Sequence, residues 1–222
     1  MSLILNIDTS TENASICIAA DGTPLGSLTN PHQKEHAAWI HIAIQNVCKA
    51  AKIELKQLDA IAITAGPGSY TGLRVGMASA KGLCYALDIP LIAVNTLHAM
   101  AFSMRLQQAD YFCPMIDARR MEVFTAVYGK ELEVHLKPCA LILNEYDFLP
   151  YLNKGTVLFF GNGSKKYKTL QQNKRAAFSE TAFSASDLSP LAYQKFTRND
   201  FSPLAYTDPF YIKDFYMPGF SA

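Results

Sequence analysis

Residues 65–76 read Ala-Gly-Pro-Gly-Ser-Tyr-Thr-Gly-Leu-Arg-Val-Gly. The stretch joins an apolar strand pattern, Asp59–Thr64, to a helical pattern, Gly72–Leu87, which Asp88–Pro90 ends. Strand, glycine-rich turn and helix in that order begin an α/β unit. Backbone N–H groups in such a turn can face an anion at the positive end of the helix. A tight connection with Ser69 or Thr71 as helix cap explains the same residues. A phosphate loop of the G-x-x-x-x-G-K-[ST] kind is excluded, because no lysine follows Gly72.

The helix after the turn carries Gly72, Gly76 and Ala80 at four-residue intervals, with Ser79 beside them. Glycine inside a helix costs about 1 kcal/mol relative to alanine. A face of such small side chains lets a second helix approach closely, which offsets that cost. One candidate partner is His32–Ala51, which has no internal Gly or Pro and places Ala37, Ile40, Ile44, Val47 and Ala51 at helical spacing. The other is a helix of another subunit. Both helices are expected to form a docking face. Its residues are His36, Ile40 and Ile44 on the first helix and Gly72, Arg74, Val75, Gly76, Ser79, Ala80 and Leu83 on the second.

Upstream, Leu3–Ile7, Ser15–Ala20 and Leu25–Thr29 form a strand meander, with Asp21-Gly22 as a hairpin signal. Downstream, Leu91–Val94 is a strand and Leu97–Leu106 a helix. The pattern then restarts. Tyr111–Ile116, Val123–Tyr128 and Glu133–Leu143 read as strands, Asn144–Leu152 as a short helix capped by Asn144, and Thr156–Phe160 as a strand. Gly161-Asn162-Gly163 is a turn, and Ala185–Phe196 is a last helix capped by Ser184 or Ser186. The fold class is α/β, in two similar lobes, each with a mixed sheet and flanking helices. They divide as residues 1–103 and a reduced lobe at 104–222, whose last helix and tail can pack back on the first.

Charge is nearly balanced, with 20 Lys+Arg against 19 Asp+Glu. That argues against strong nucleic-acid binding by the chain alone, which needs clustered cations. No export signal and no apolar run of about 18 residues is visible. The five cysteines, Cys17, Cys48, Cys84, Cys113 and Cys139, are widely spaced, with no C-x-x-C pair, and read as core residues in a reducing compartment.

The run GPGSYTGLRVGMASAKGLCYALDIPLIAV resembles the signature of the TsaB family, also called YeaZ. So does the opening NIDTSTENASICIA. Met115-Ile-Asp117-Ala-Arg119, Phe160-Gly-Asn-Gly163 and Pro209-Phe-Tyr211 extend the likeness over the chain, which is loose between 130 and 200. The resemblance implies the actin, sugar-kinase and heat-shock ATPase fold. It implies a cytoplasmic, catalytically silent subunit that binds a paralogue, TsaD, and a small ATPase, TsaE. Their joint product is threonylcarbamoylated adenosine beside the tRNA anticodon. It also implies a homodimer when the chain is alone, tRNA contact only through the complex, no membrane and no obligate cofactor.

The alternative is an enzyme, a free-standing kinase-like protein or a metallopeptidase, and the residues speak against it. In TsaD a His-x-x-x-His pair holds a metal, and the resemblance puts those positions on Thr96 and Met100, neither an imidazole. His98 lies between them on another face. His32 and His36 are four apart, but Gln33 follows His32 where a metalloprotease needs Glu. Ser69 lacks a G-x-S-x-G elbow. Asp8 and Asp117 end strands where an ATPase of this fold keeps carboxylates, yet no glycine follows Asp8 to grip phosphate. The residues are compatible with weak nucleotide binding in the cleft. It would involve the cleft-facing loops Asp8, Thr9 and Ser10; Gly66, Gly68 and Ser69; Asp117 and Arg119; and Gly161 and Gly163. The tail from Phe201 holds aromatics through Phe220 and prolines at 203, 209 and 218. It is read as non-helical, packing back or meeting a partner. Lys213 stands where the family usually has Arg.

Overall fold

The six residues Leu3–Asp8 (β1) are all buried, so both faces of this strand must be covered. In the computed structural model, which describes residues 1–32 and 35–213, β1 is the centre of a five-stranded sheet. It pairs antiparallel with β2 (Ala14–Ala20) and parallel with β4 (Ala60–Thr64). β3 (Thr23–Asn30) and β5 (Leu91–Val94) lie outside them, giving the order β3-β2-β1-β4-β5. The second half repeats the plan. β6 (Tyr111–Asp117) is central, β7 (Glu122–Tyr128) and β8 (Val134–Ile142) complete a meander, and β9 (Val157–Phe160) and β10 (Ala176–Ser179) add in parallel. The order β10-β9-β6-β7-β8 is that of the first sheet. This duplicated mixed sheet is the actin, sugar-kinase and heat-shock ATPase architecture.

Among the described residues six α-helices connect and cover the sheets: α1 (His36–Ala51), α2 (Tyr70–Leu87), α3 (Thr96–Met104), α4 (Leu149–Leu152), α5 (Ser164–Lys168) and α6 (Ala185–Thr197). α1 and α2 bury Ile40, Ile44, Val47, Met77, Ala80 and Cys84 on one face of the first sheet, against Leu5, Ile7, Ile16 and Ile63. Each of the Ile, Leu, Val and Met side chains among them contributes about 1.5–3 kcal/mol by leaving water. α6 covers the opposite face, where Leu188, Leu191 and Ala192 meet Ile4, Ala62 and Ile92. α3 serves both lobes. Ala99 and Phe102 join the α6 cluster, while Leu97, Met100 and Met104 pack on Phe112, Ile116 and Phe160 of the second sheet. The chain therefore returns to the first lobe after completing the second.

α6 begins with a capping box in which Ser184 N donates to Asp187 Oδ2 at 2.8 Å. Beyond it the tail runs back over the first lobe. Ser202 N donates to Leu91 O at 2.8 Å and closes the β5 edge. Lys81 Nζ holds Thr207 O at 3.0 Å, and Phe210 N reaches Ala65 O at 2.6 Å.

Some elements differ from the sequence reading. The first helix starts at His36, not His32, because Asn30 Oδ1 accepts the His32 N–H in an Asx turn at 2.9 Å. Asn144 does not cap a helix. It closes a turn with Asp147, its N–H donating to Oδ2 at 2.7 Å, and α4 starts only at Leu149. α5 and β10, of five and four residues, are too short for periodicity to reveal. Phe215, Tyr216, Pro218 and Phe220 lie outside the described residues.

Candidate functional site: the interlobe cleft and the outer helix face

Three strands end towards the cleft: Asp117 lines it, while Asp8 and Thr64 lie buried behind Ser10 of its first-lobe wall. Asp8 is fully buried. Its Oδ1 accepts from Ser10 Oγ at 2.6 Å, Thr64 Oγ1 at 2.6 Å and Ser10 N at 3.1 Å. Its Oδ2 has no partner. Burial pushes the carboxyl above its ordinary range, against the pull of those hydrogen bonds. His36, at the first residue of α1, is 2% exposed. Its Nε2 donates to Glu12 O at 3.2 Å, which leaves Nδ1 as the acceptor, buried and unpartnered.

The cleft between the lobes encloses about 1110 Å³. Ser10, Glu12, His36, Tyr70 and Val75 line the first-lobe wall, and Ile116, Arg119, Phe124, Asn162 and Lys165 the second. Asn162 Nδ2 donates to Glu12 Oε2 at 2.5 Å and bridges the walls. Asp117 Oδ1 accepts from Arg119 N at 2.6 Å and Lys166 Nζ at 2.7 Å, so this carboxylate is engaged within its own lobe.

The glycine-rich turn is not an open cradle. A Cβ on Gly68 would stand 2.2 Å from Ser10 O, and one on Gly66 (φ +112°) 2.3 Å from Phe210 O. The N–H groups of Gly66, Ser69 and Gly72 are taken by Thr96 Oγ1, Ser10 O and Ser69 Oγ. Gly68 lets this turn press against Ser10, and Gly66 lets the tail cross it at Phe210. Gly161 and Gly163 likewise allow close approach in the second lobe, where added Cβ atoms would meet Met115 O at 2.4 Å and Val123 Cγ1 at 2.9 Å.

The expected docking face needs correction. Gly72 and Gly76 do not face another helix. Their missing Cβ atoms would stand 2.1 Å from Thr9 O and 2.2 Å from Thr9 Oγ1, so the small stripe seats α2 on the end of β1. Ala80, Ile40 and Ile44 are buried in the same core, and His36 points into the cleft. Ser79 is buried beside His41, its Oγ 3.3 Å from His41 Nε2. Leu83 packs half-buried on the core and Val75 lines the cleft. Arg74 alone of the ten is fully on the surface, over the Tyr70 ring at 4.3 Å and donating to Tyr211 Oη at 3.2 Å.

The outward face of the pair is different. It carries Ile42, 59% exposed, and Tyr85, 83% exposed, with Ala38, Ala78 and Ala86. Gly82 sits there mid-helix with open space where its Cβ would be. The signal was present in the sequence as Ile42, an apolar residue off the buried 40-44-47 stripe.

Metal chemistry finds no cluster: among the described residues no three His, Cys, Asp or Glu side chains converge. Thr96 Oγ1 accepts the Gly66 N–H at 3.1 Å, and Met100 lies in the core, its Cε 2.6 Å from where a Gly161 Cβ would be. His98 meets the Tyr128 ring edge-on at 5.7 Å. His32 and His36 do not share a helix face, since the helix begins at His36. The thiols of Cys17, Cys48, Cys84 and Cys113 are buried, and burial pushes Cys84 up to about 12.

These burials set a pH dependence. Burial holds His36 and His98 below the ordinary histidine range, and Lys195 lowers His98 further. The unfolded chain then takes up protons first as pH falls, so stability is full above about 6.5 and is lost below it. Asp8 has the opposite sign: its raised pKa favours the fold only at acidic pH, so it is not the source of this loss. The Tm is expected to drop from about pH 7.5 to about pH 5.5, and His36→Gln with His98→Gln to flatten that slope. An unchanged slope in the double variant would contradict this.

The comparisons agree with the geometry. Residues 28–213 match the family model described as TsaD: tRNA N6-adenosine threonylcarbamoyltransferase. The tRNA threonylcarbamoyladenosine biosynthesis protein TsaB of Escherichia coli K12 is 29% identical over 95% of this chain and 94% of its own. The protein of that name from Haemophilus influenzae is 38% identical over 58% of this chain and 54% of its own. The structure of YeaZ from Pseudomonas aeruginosa, 27% identical, superposes with a TM-score of 0.81 over 95% of this chain and all of that one. With the duplicated fold and the packed turn, these matches show that the chain belongs to the TsaB/YeaZ family, within the wider group that the threonylcarbamoyltransferase model describes.

Proposed function

We propose that this chain is a catalytically silent subunit of the cytoplasmic assembly that makes threonylcarbamoyladenosine in tRNA. It acts by binding a TsaD-type transferase and, with it, TsaE. One observation carries the silence. At the two positions where TsaD is expected to hold its metal, this chain has Thr96 and Met100, both buried and both committed to packing against the Gly66 turn and Gly161. The outer face of α1 and α2 is the docking surface, and when the partner is missing it pairs with a second copy. No helix among the described residues is long and apolar enough to cross a membrane.

The test is reconstitution. Purified cognate TsaD and TsaE are assayed for tRNA modification with and without this chain, and the chain is assayed alone for ATP and peptide turnover. Modification that depends on the chain, with no turnover by it alone, is the expected result. Turnover by the isolated chain, or full modification without it, would sink the reading.

A further inference from the structure

The near-balance of charge over the whole chain conceals a local excess. Between Asp147 and Glu180 the sequence has no acidic residue, while it carries Lys154, Lys165, Lys166, Lys168, Lys174 and Arg175. α5 lies in this stretch. Lys166 turns inward, donating to Asp117 Oδ1 at 2.7 Å and Glu122 O at 3.1 Å, and so ties α5 to the turn between β6 and β7. That turn carries Arg119 and Arg120 at φ 71° and 49°. The left-handed region is unfavourable for residues bearing such side chains. The turn thus holds two exposed cations where glycine would fit more easily.

Asp117, the nearest carboxylate, is already engaged by Lys166 and the Arg119 N–H. Among the described residues no ion pair or hydrogen bond engages the side chains of Arg119, Arg120 or Lys165. Arg119 and Lys165 line the second-lobe wall of the cleft together. We infer that these three cations form a contact for the sugar-phosphate backbone of RNA at the cleft mouth. This is the second lobe's share of the tRNA gripped by the assembly, and it rests on the functional reading above. Separate cations on a projecting turn and a neighbouring helix match a run of phosphates along a strand. A contact of a few phosphates is weak alone and adds to a grip made by partner subunits, which suits a chain of almost zero net charge.

The test compares the reconstituted wild-type complex with one carrying Arg119→Gly, Arg120→Gly and Lys165→Gln. Glycine relieves the backbone at both arginine positions, so the variant is expected to fold, and its Tm is checked against wild type. Unmodified tRNA is titrated by anisotropy at several salt concentrations, and ATP binding is measured in parallel. The variant complex is expected to bind tRNA about tenfold more weakly at low salt, with a salt slope smaller by about two, while ATP binding is unchanged. Equal tRNA affinity and slope would overturn the inference. So would loss of assembly on a sizing column, which gives the patch to a protein partner, or loss confined to ATP. If the wild-type complex itself fails to bind tRNA, the functional reading falls as well. A failure confined to the variant comparison sinks only this inference.

Discussion

Gly76→Leu is expected to prevent folding. The added side chain would start 2.2 Å from Thr9 Oγ1 and 3.1 Å from Ile63 Cδ1, in a core where both neighbours are fully buried. Thr9 cannot swing away cheaply, because its Oγ1 donates to Gly72 O at 2.8 Å. α2 must move off β1 or the loop after β1 must open. Overpacking of this kind costs about 3 kcal/mol or more, a large part of the total stability of a typical domain. Gly72→Leu is expected to do the same, since its Cβ would lie 2.1 Å from a backbone oxygen. Gly82→Leu on the same helix is the control. Nothing lies within 4 Å of its Cβ, so it should gain about 0.5–1 kcal/mol from helix propensity. Urea titration of the three variants decides the matter. A Gly76→Leu protein with wild-type midpoint would mean that α2 does not sit on β1 as described. The same contrast makes position 76 unsuitable for probing assembly, because folding fails first.

Assembly is expected to fail instead when the outer face is changed. Ile42→Asp with Gly82→Trp places a charge on a largely exposed position and a bulky ring where open space surrounds the missing Cβ. Stability should stay within about 1 kcal/mol of wild type, as for most surface substitutions. Affinity for the transferase partner should fall about 100-fold or more, because truncating or blocking the centre of an interface removes most of its energy. Calorimetric titration against the cognate transferase measures this, and the partner-dependent modification should fall in parallel. Wild-type affinity in the double variant would move the interface elsewhere. The mid-helix glycine is the physical reason for choosing this face. At Gly72 and Gly76 the helix penalty is offset inside the chain, but at Gly82 no intrachain contact offsets it.

The first sheet and α2 were legible because their patterns are long and regular. β1 and β4 are mostly apolar runs closed by Asp8 and Thr64, and α2 has eighteen residues. The repeat of the meander at Tyr111 disclosed the duplication. Most of the residues expected to dock are buried, for a specific reason. Small residues at i, i+4 and i+8 announce close approach, but the sequence does not say to what, and here the neighbour is a strand end. The 40-44-47 stripe marks the buried face, so residues chosen from it are the ones a partner cannot reach. The bond between Glu12 and Asn162 and the orphaned atoms of Asp8 and His36 arise from contacts between residues far apart in the chain, which no local spacing encodes.

The placement of α6 on the first sheet has a consequence for biosynthesis. Ile4, Ala62 and Ile92 stay uncovered on one face until Leu188, Leu191 and Ala192 have left the ribosome. The amino-terminal half therefore cannot mature while translation continues through the second sheet, and it presents greasy surface to chaperones throughout that interval. A nascent chain stalled before Ala185 should be protease-sensitive in its amino-terminal half, and one stalled well after Thr197 should be resistant there.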